Sequence, residues 1–161
     1  MSSTLSSVRR ILPPPEDGGK GRLPAGRRIV DQVSDEGTIY DAVGGEPFFV
    51  DLVDGFYAGV SEDPLLRPMY PDDLVEPKRH LAGFLVQYWG GPSTYSDERG
   101  HPRLRMRHAP FAIGGAERDA WLRHMLRSLD AVAVARSTPT PAVDRIRGYL
   151  TDTAEFLVNR R

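Results

Sequence analysis

The spacing of the apolar residues constrains this fold more than any other feature of the chain. Apolar side chains recur every three or four residues in four segments, which begin near Pro47, Pro77, Gly115 and Pro141. This period is that of one buried face of an α-helix, and no segment shows the period of two that marks a strand. The sequence therefore predicts an all-α domain with four substantial helices.

Residues that start and stop helices bound these segments. Proline suits the first helical turn, because its missing N–H has no partner to lose there, and Thr140 is a suitable N-cap for the last helix. The run Gly90-Gly91-Pro92 is a strong stop signal for the second helix. The four predicted apolar stripes are Phe48, Phe49, Leu52, Val53, Phe56, Tyr57 and Val60; Leu81, Phe84, Leu85 and Tyr88; Trp121, Leu122, Met125, Leu126, Leu129 and Val132; and Val143, Ile146, Leu150, Ala154 and Leu157.

Two connecting segments carry weaker patterns. Residues 63–71 are interrupted by prolines and can hold only a turn or two of helix. Residues 92–107 are polar, rich in arginine and punctuated by glycine, so we predict an extended loop that tightens at most into one helical turn near His108. Loops of this length inside a compact domain usually serve a function.

The N-terminal part differs in composition from the rest. Residues 1–37 are rich in Ser, Pro, Gly and Arg, with too few apolar side chains to offset the entropy of ordering them. We predict a disordered extension over residues 1–37 and one domain over residues 38–161. The alternative for this extension is a basic arm that uses Arg9, Arg10, Arg22, Arg27 and Arg28.

Composition excludes several functional classes. The chain has 161 residues and no cysteine, which excludes disulfides, thiolate nucleophiles, iron–sulfur clusters and cysteine zinc sites. Its 21 basic and 22 acidic residues argue against nucleic acid or an anionic membrane as a partner. No apolar run approaches the ~18 residues of a membrane span, and the N-terminus lacks the apolar core of a signal peptide. We expect a cytoplasmic protein whose specificity comes from a local site.

Three stretches match the pattern of a known family. They are residues 40–45 (YDAVGG), residues 87–92 (QYWGGP) and residues 100–111 (GHPRLRMRHAPF), the last followed by ERDAW at 117–121. Over about residues 38–159 the chain resembles the truncated haemoglobins, in particular group II (type O). The resemblance implies a two-over-two sandwich of α-helices around haem b (iron protoporphyrin IX), with the proximal helix reduced to a loop and one short turn.

On the proximal side, the resemblance makes His108 the ligand of the haem iron. A neutral imidazole is the common protein ligand in oxygen-binding haem proteins, and one such ligand suffices where a coordination position stays open. We expect its other ring nitrogen to donate to the carbonyl of Leu104, one helical turn away. Arg107 is expected to pair with a haem propionate, and His80 and His101 are candidates for propionate contacts or for solvated side chains.

On the distal side, the resemblance places Tyr57, Tyr70 and Trp121. Their O–H and N–H groups are donors that can hold a partly negative diatomic ligand, and such bonds are stronger in a dry pocket. Pro77 lies at the position where many globins carry a distal histidine, and it departs from the small residue that other members of the family have there. His124 is expected to face solvent. Residues expected to line the pocket or pack on the porphyrin, which would be core residues in any all-α domain, are Leu81, Phe84, Leu85, Tyr95, Phe111 and Met125.

The function implied by this resemblance is reversible binding of dioxygen and other diatomic ligands by a monomer or homo-oligomer, with oxygen transport as one use. A first alternative is a haem-dependent redox enzyme, either a nitric oxide dioxygenase or a peroxidase-like protein, supplied with electrons by an unknown reductase. A second alternative is a haem-free interaction domain that uses the arginine-rich loop with Arg103, Arg105 and Arg107 as its contact surface.

Overall fold

The structure is a computed structural model that describes residues 37–161, so the predictions for residues 1–36 lie outside it. In this range the chain forms α-helices and one short 3₁₀ turn, without strands, which confirms the all-α prediction. No helix within residues 37–161 is long and apolar enough to cross a membrane. The helices are α1 (Ile39–Ala42), α2 (Glu46–Glu62), α3 (Val75–Tyr88), α4 (Thr94–Arg99), α5 (Leu104–His108), α6 (Gly115–Ala135) and α7 (Thr140–Phe156), and the 3₁₀ turn is Arg67–Met69.

The four long helices correspond to the four predicted stripes. Helix α2 packs on α3, α6 packs on α7, and the two pairs are joined by the extensive contact between α2 and α6. The apolar faces of all four helices meet in one core. Helix α3 begins at Val75, so that Pro77 lies in its first turn. Helix α7 begins at Thr140 itself and its N-cap is Pro139, so the prediction of Thr140 as the N-cap is wrong by one residue.

Helices α2 and α6 approach closely because two glycines remove side chains from their contact. A Cβ atom at Gly55 would lie 2.2 Å from Ser128 Oγ, and one at Gly59 would lie 2.3 Å from His124 Nδ1. The Ser128 hydroxyl donates to the carbonyl of Leu52, at 2.7 Å, across the same contact. The small residues Gly55, Gly59 and Ser128 therefore set the position of α6 relative to α2.

His124 does not face solvent, and the prediction for this residue is wrong. Its side chain is only 10% exposed, and its Nε2 lies 2.6 Å from the carboxylate of Asp63, which is itself buried. The hydrogen bond with His124 is the largest cause that lowers the pKa of Asp63, and the N–H groups of Leu65 and Leu66 lower it further. The hydrogen bond to the buried Asp63 thus stabilises the His124 side chain in the contact between α2 and α6, opposite Gly59.

The first two family stretches contact each other. The N–H of Tyr40 donates to the carbonyl of Trp89 at 2.9 Å. Gly90 adopts φ +107°, and a Cβ atom there would lie 2.6 Å from the side chain of Thr38. A Cβ atom at Gly91 would meet the Tyr40 ring at 2.7 Å, so both glycines are required where the start of the domain crosses the end of α3.

The segment 92–107 is more regular than the sequence predicts. Instead of one extended loop it contains α4, and α5 follows as the single helical turn that ends at His108. Helix α4 is attached through Gln87, whose Nε2 donates to Ser96 Oγ at 2.7 Å and whose Oε1 accepts from the Ser96 N–H at 2.9 Å. Only Tyr95 of α4 is buried, so no periodic stripe marks this helix.

Candidate functional site

A small apolar cavity of about 30 Å³ lies beside the end of α5. It brings together three of the predicted site residues, His108, Tyr70 and Trp121, which come from α5, the segment after the 3₁₀ turn, and α6. The residues that line it are Leu66, Met69, Tyr70, His108, Ile113, Glu117, Arg118, Trp121, Ala154 and Leu157. The cavity is therefore walled by α6, α7, the segment around the 3₁₀ turn and the turn that carries His108.

His108 is the last residue of α5 and is 1% exposed. Its Nδ1 lies 2.6 Å from the carbonyl oxygen of Leu104, which confirms the predicted bond. Because a carbonyl oxygen can only accept, Nδ1 carries the proton and Nε2 carries the lone pair of the neutral ring. Burial lowers the pKa of His108 to about 4, with the Leu104 carbonyl opposing this shift and the Arg107 charge adding to it. The imidazole is therefore neutral at neutral pH, which is the form that binds a metal.

Asn159 connects the C-terminal segment to the residues that follow His108. Its Oδ1 accepts from the N–H of Ile113 at 2.9 Å, and its Nδ2 donates to the carbonyl of Phe111 at 2.8 Å and to that of His108 at 3.4 Å. No local sequence pattern predicts a role for this residue, because its partners lie 46 to 51 positions away in the chain.

Tyr57, Tyr70 and Trp121 form an aromatic cluster that reaches the same cavity through Tyr70 and Trp121. The Tyr57 and Tyr70 rings meet edge to face with centroids 5.5 Å apart. The Phe56 ring lies next to Trp121, with ring centroids 5.4 Å apart. Within the described residues, the Tyr57 and Tyr70 hydroxyls and the Trp121 indole N–H are buried without a hydrogen-bond partner. Buried polar groups are usually paired, so three unpaired donors side by side are typical of a ligand site.

Burial also fixes the protonation state of the two tyrosines. It raises the pKa of Tyr57 far above its usual value. It likewise raises the pKa of Tyr70, where the neighbouring Tyr57 adds to the effect and the nearby Trp121 indole opposes it. Both phenols therefore keep their protons, and so remain hydrogen-bond donors, throughout the physiological pH range.

The other apolar candidates lie in the core but away from this cavity. Leu81, Leu85 and Met125 are buried, and Phe84 packs edge to face on Tyr95 with ring centroids 5.4 Å apart. None of them lines the cavity beside His108. Phe111 is partly exposed and lines a neighbouring groove with His108.

Two of the three polar candidates lie at a separate groove that is open to solvent. His101 and Arg107 line it, and the guanidinium of Arg107 donates to the carbonyls of Arg99 and His101 at 3.3 and 3.4 Å. His80 lies 3.0 Å from the Arg99 guanidinium and 3.4 Å from Glu76. Burial and the Arg99 charge lower the pKa of His80. The structure thus does not bring these three polar candidates into the cavity with His108.

Known proteins similar to this chain share one fold. Residues 38–155 match the family model of the bacterial-like globins. A group 2 truncated haemoglobin of Bacillus subtilis is 42% identical over 121 residues, which cover 75% of this chain and 88% of that protein. The crystal structure of a haemoglobin from Chloroflexus aurantiacus is 52% identical, with a TM-score of 0.74, and covers 78% of this chain and all of its own. A truncated oxygen-avid haemoglobin structure from Bacillus subtilis is 41% identical, with a TM-score of 0.70 over 76% of this chain and all of its own.

Proposed function

Because this chain belongs to the bacterial-like globin family, as a truncated haemoglobin of the group II type, we propose that it is a haem-binding globin that reversibly binds dioxygen and other diatomic ligands. We propose His108 as the protein ligand of the iron. The observation that carries this proposal is the meeting of a buried neutral imidazole and partnerless polar donors at one apolar cavity. Haem b, when bound, supplies an iron centre with an open position for a diatomic ligand.

The residues around the cavity fit a haem. The wall of the cavity is almost entirely apolar, as a porphyrin face requires. With a pKa of about 4, the His108 ring holds no competing proton on Nε2 at neutral pH. The imidazole is thus ready to ligate a metal without a change of its protonation state.

The hydrogen bond to Leu104 gives His108 its orientation. The Nδ1–H group points at the Leu104 carbonyl at 2.6 Å, so Nε2 points away from α5. A bond of this kind selects the tautomer, limits rotation of the ring and makes the opposite nitrogen a better donor to a metal. Leu104 is buried, so its carbonyl is an anchored acceptor.

The distal donors hold the diatomic ligand in this proposal. The Tyr57 and Tyr70 hydroxyls have no acceptor among residues 37–161, so their O–H groups can donate to a ligand without first breaking another bond. The Trp121 indole N–H lies near the Tyr70 oxygen and is a third donor beside them. Each such bond is worth about 0.5–1.5 kcal/mol, and more where the acceptor is charged. The buried aromatic rings exclude water, which would otherwise compete for these donors.

The proposal is tested by adding iron protoporphyrin IX to the full-length chain and recording absorption spectra. We expect an intense Soret band and a ferrous spectrum that changes on adding dioxygen and returns when dioxygen is removed. We expect His108→Leu to lose the parent's ferrous spectrum, whereas Met106→Leu, an exposed site on the same helix, should retain it. The absence of a Soret band would favour the haem-free interaction domain, and an unchanged spectrum in His108→Leu would remove His108 as the ligand.

Nitric oxide dioxygenation is a second candidate function for the same site. Its overall reaction joins one nitric oxide, one dioxygen and one electron to give nitrate, so each turnover needs a one-electron reductant. The unpartnered donors of Tyr57, Tyr70 and Trp121 favour it, because they can stabilise negative charge that develops on oxygen. Mixing the oxygenated protein once with nitric oxide should yield one nitrate per haem. A negligible rate, together with no turnover in a steady-state peroxidase assay, would leave binding alone.

A further inference from the structure

Helix α5 is too short to hold its own shape. It has five residues and no side-chain hydrogen bond at its N-cap, Arg103, which adopts φ +44° in the left-handed region. Its turn is closed by bonds from the N–H groups of Arg107 and Ala109 to the carbonyls of Arg103 and Arg105, at 3.0 and 2.9 Å. One turn of helix is not stable alone in water, and a left-handed arginine adds to its cost. The orientation of His108 therefore depends on contacts from outside α5.

Asn159 supplies such contacts with both ends of its amide. It is the only asparagine of the chain. Because the Ile113 N–H can only donate and the Phe111 carbonyl can only accept, Oδ1 must face Ile113, at 2.9 Å, and Nδ2 must face Phe111, at 2.8 Å. Its own backbone N–H donates to the carbonyl of Ile113 at 2.9 Å. The residue thus ties the end of α7 to the segment that follows the proposed iron ligand.

The same amide reaches His108 itself. The His108 carbonyl accepts from the N–H of Phe111 at 2.9 Å and from Asn159 Nδ2 at 3.4 Å. Its ring is held from the other side, where Nδ1 meets the Leu104 carbonyl at 2.6 Å. Since ring and main chain are both restrained, the imidazole can turn only if the 108–113 segment moves, and Asn159 restrains that segment.

We propose that Asn159 is a positioning residue for His108, because its amide joins the C-terminal segment to the carbonyls of His108 and Phe111 and so sets the angle at which the imidazole faces the cavity. This proposal rests on the role of His108 as the iron ligand. A residue that orients a metal ligand commonly changes metal affinity by about 10–100-fold when it is replaced. Asn159 lies at the surface, so replacing it leaves no cavity in the core.

The Asn159→Asp variant tests the donor group of the amide separately from its acceptor oxygen. It has nearly the same shape and keeps the acceptor for the Ile113 N–H, but it replaces the donor with an oxygen that faces the carbonyls of Phe111 and His108. Asn159→Ala removes both halves. Leu150→Val is the matched control, because it loosens the buried face of α7 and leaves the hydrogen bonds of Asn159 to residues 108–113 in place.

The readout is the iron–histidine stretching band in the resonance Raman spectrum of the ferrous full-length protein, together with the rate of haem transfer to an excess of an acceptor apoglobin. In both Asn159 variants we expect a shifted or broadened band and haem loss at least about tenfold faster. Leu150→Val should keep the parent's band even though its melting temperature falls. The parent's band in both Asn159 variants would overturn the proposal, whatever their melting temperatures.

Measurements on the parent protein distinguish a failure of the Asn159 proposal from a failure of the proposed function. If the parent shows no iron–histidine band, or if the band persists in His108→Gly, the assignment of His108 is wrong and the role of Asn159 falls with it. If the parent's band depends on His108 but not on Asn159, only the positioning role is lost. Amide exchange at Ile113 in the haem-free protein, which should accelerate in both variants, then reports whether Asn159 acts on the segment at all.

Discussion

The two sides of the proposed haem site are held in place by opposite means. On the proximal side, His108 stands on one turn of helix. Its Nδ1–H donates to the Leu104 carbonyl, and its own carbonyl accepts from the Phe111 N–H and from Asn159 Nδ2. On the distal side, Tyr57 and Trp121 stand on long helices that are fixed by packing, and their polar atoms have no partner within residues 37–161.

The difference follows from what each side has to do. A metal ligand must keep one orientation, so its hydrogen bonds are made within the protein. A donor that serves an external ligand must stay available, so its position has to come from contacts that do not use its polar atom. The glycine contact of α2 with α6 and the edge-to-face aromatic pairs provide such positions. Each unpaired buried donor costs about 1–3 kcal/mol until the ligand arrives.

The largest effect concerns the proximal side of the haem-free protein and its response to pH. The pKa of His108 is lowered to about 4 in the fold, against about 6.5 in an unfolded chain. The unfolded chain therefore takes up the proton first, and this part of the stability is lost as the pH falls from about 6.5 to about 4. The expected loss approaches about 3 kcal/mol.

Urea unfolding at several pH values between 7 and 4 measures this loss, with His108→Leu as the control. The variant has no imidazole to charge, so its stability should fall less over the same interval. Equal slopes for the two proteins would mean that His108 takes up its proton as easily in the fold as in the unfolded chain, and the proximal side would then lack the buried neutral ligand described above.

The next effect concerns the packing of the distal side. In Gly59→Ala the new methyl group would lie 2.3 Å from Nδ1 and 2.8 Å from Cγ of His124, so α2 and α6 must separate. We expect a loss of about 1–3 kcal/mol in the free energy of unfolding, and faster release of dioxygen because Tyr57 moves with α2. Chemical denaturation and stopped-flow release measure the two effects.

Gly148→Ala provides the matched control for the glycine contact. Gly148 also lies inside a long helix, α7, but a Cβ atom there would meet nothing within 4 Å. This variant should be more stable than the parent by up to about 1 kcal/mol, because alanine favours helix more than glycine does. Destabilisation of equal size in both variants would mean that the α2–α6 contact has no special role.

The smallest effect concerns a single distal donor. Tyr57→Phe removes a hydroxyl that has no partner in the described part of the chain, so the haem-free protein should be as stable as the parent or slightly more so. Dioxygen release should accelerate up to about tenfold, which corresponds to one lost hydrogen bond. Tyr88→Phe, at an exposed ring, should change neither quantity. A clear loss of stability without faster release would place the Tyr57 hydroxyl in the fold rather than in the ligand site.

Much of the fold could be predicted from local sequence, because the buried face of a long helix repeats along the chain. The stripe of α2, from Phe48 to Val60, is buried in full. Helix α4 was not predicted, because it buries only Tyr95 and depends on the contact of Gln87 with Ser96. His124 was misplaced because its burial is decided by Gly59 on another helix.

The candidate site also combines features that are local in the sequence with features that depend on residues far apart in the chain. The bond of His108 to Leu104 joins residues four positions apart, so it could be predicted once the family resemblance had singled out His108. The role of Asn159 depends on Phe111 and Ile113, which are distant in the chain, so no local pattern could indicate it. The meeting of Tyr70, Trp121 and His108 at one cavity likewise needs the folded structure, although the family resemblance pointed to the same three residues.

The most direct test of this account is the iron–histidine stretching band of the ferrous protein made with ¹⁵N-labelled histidine. We predict that the parent shows this band, that it shifts to lower frequency with the heavier nitrogen, that it disappears in His108→Gly, and that added imidazole restores it. A band that persists in His108→Gly without imidazole, or a parent protein that binds haem without any histidine-sensitive band, would contradict the claim that His108 holds the iron.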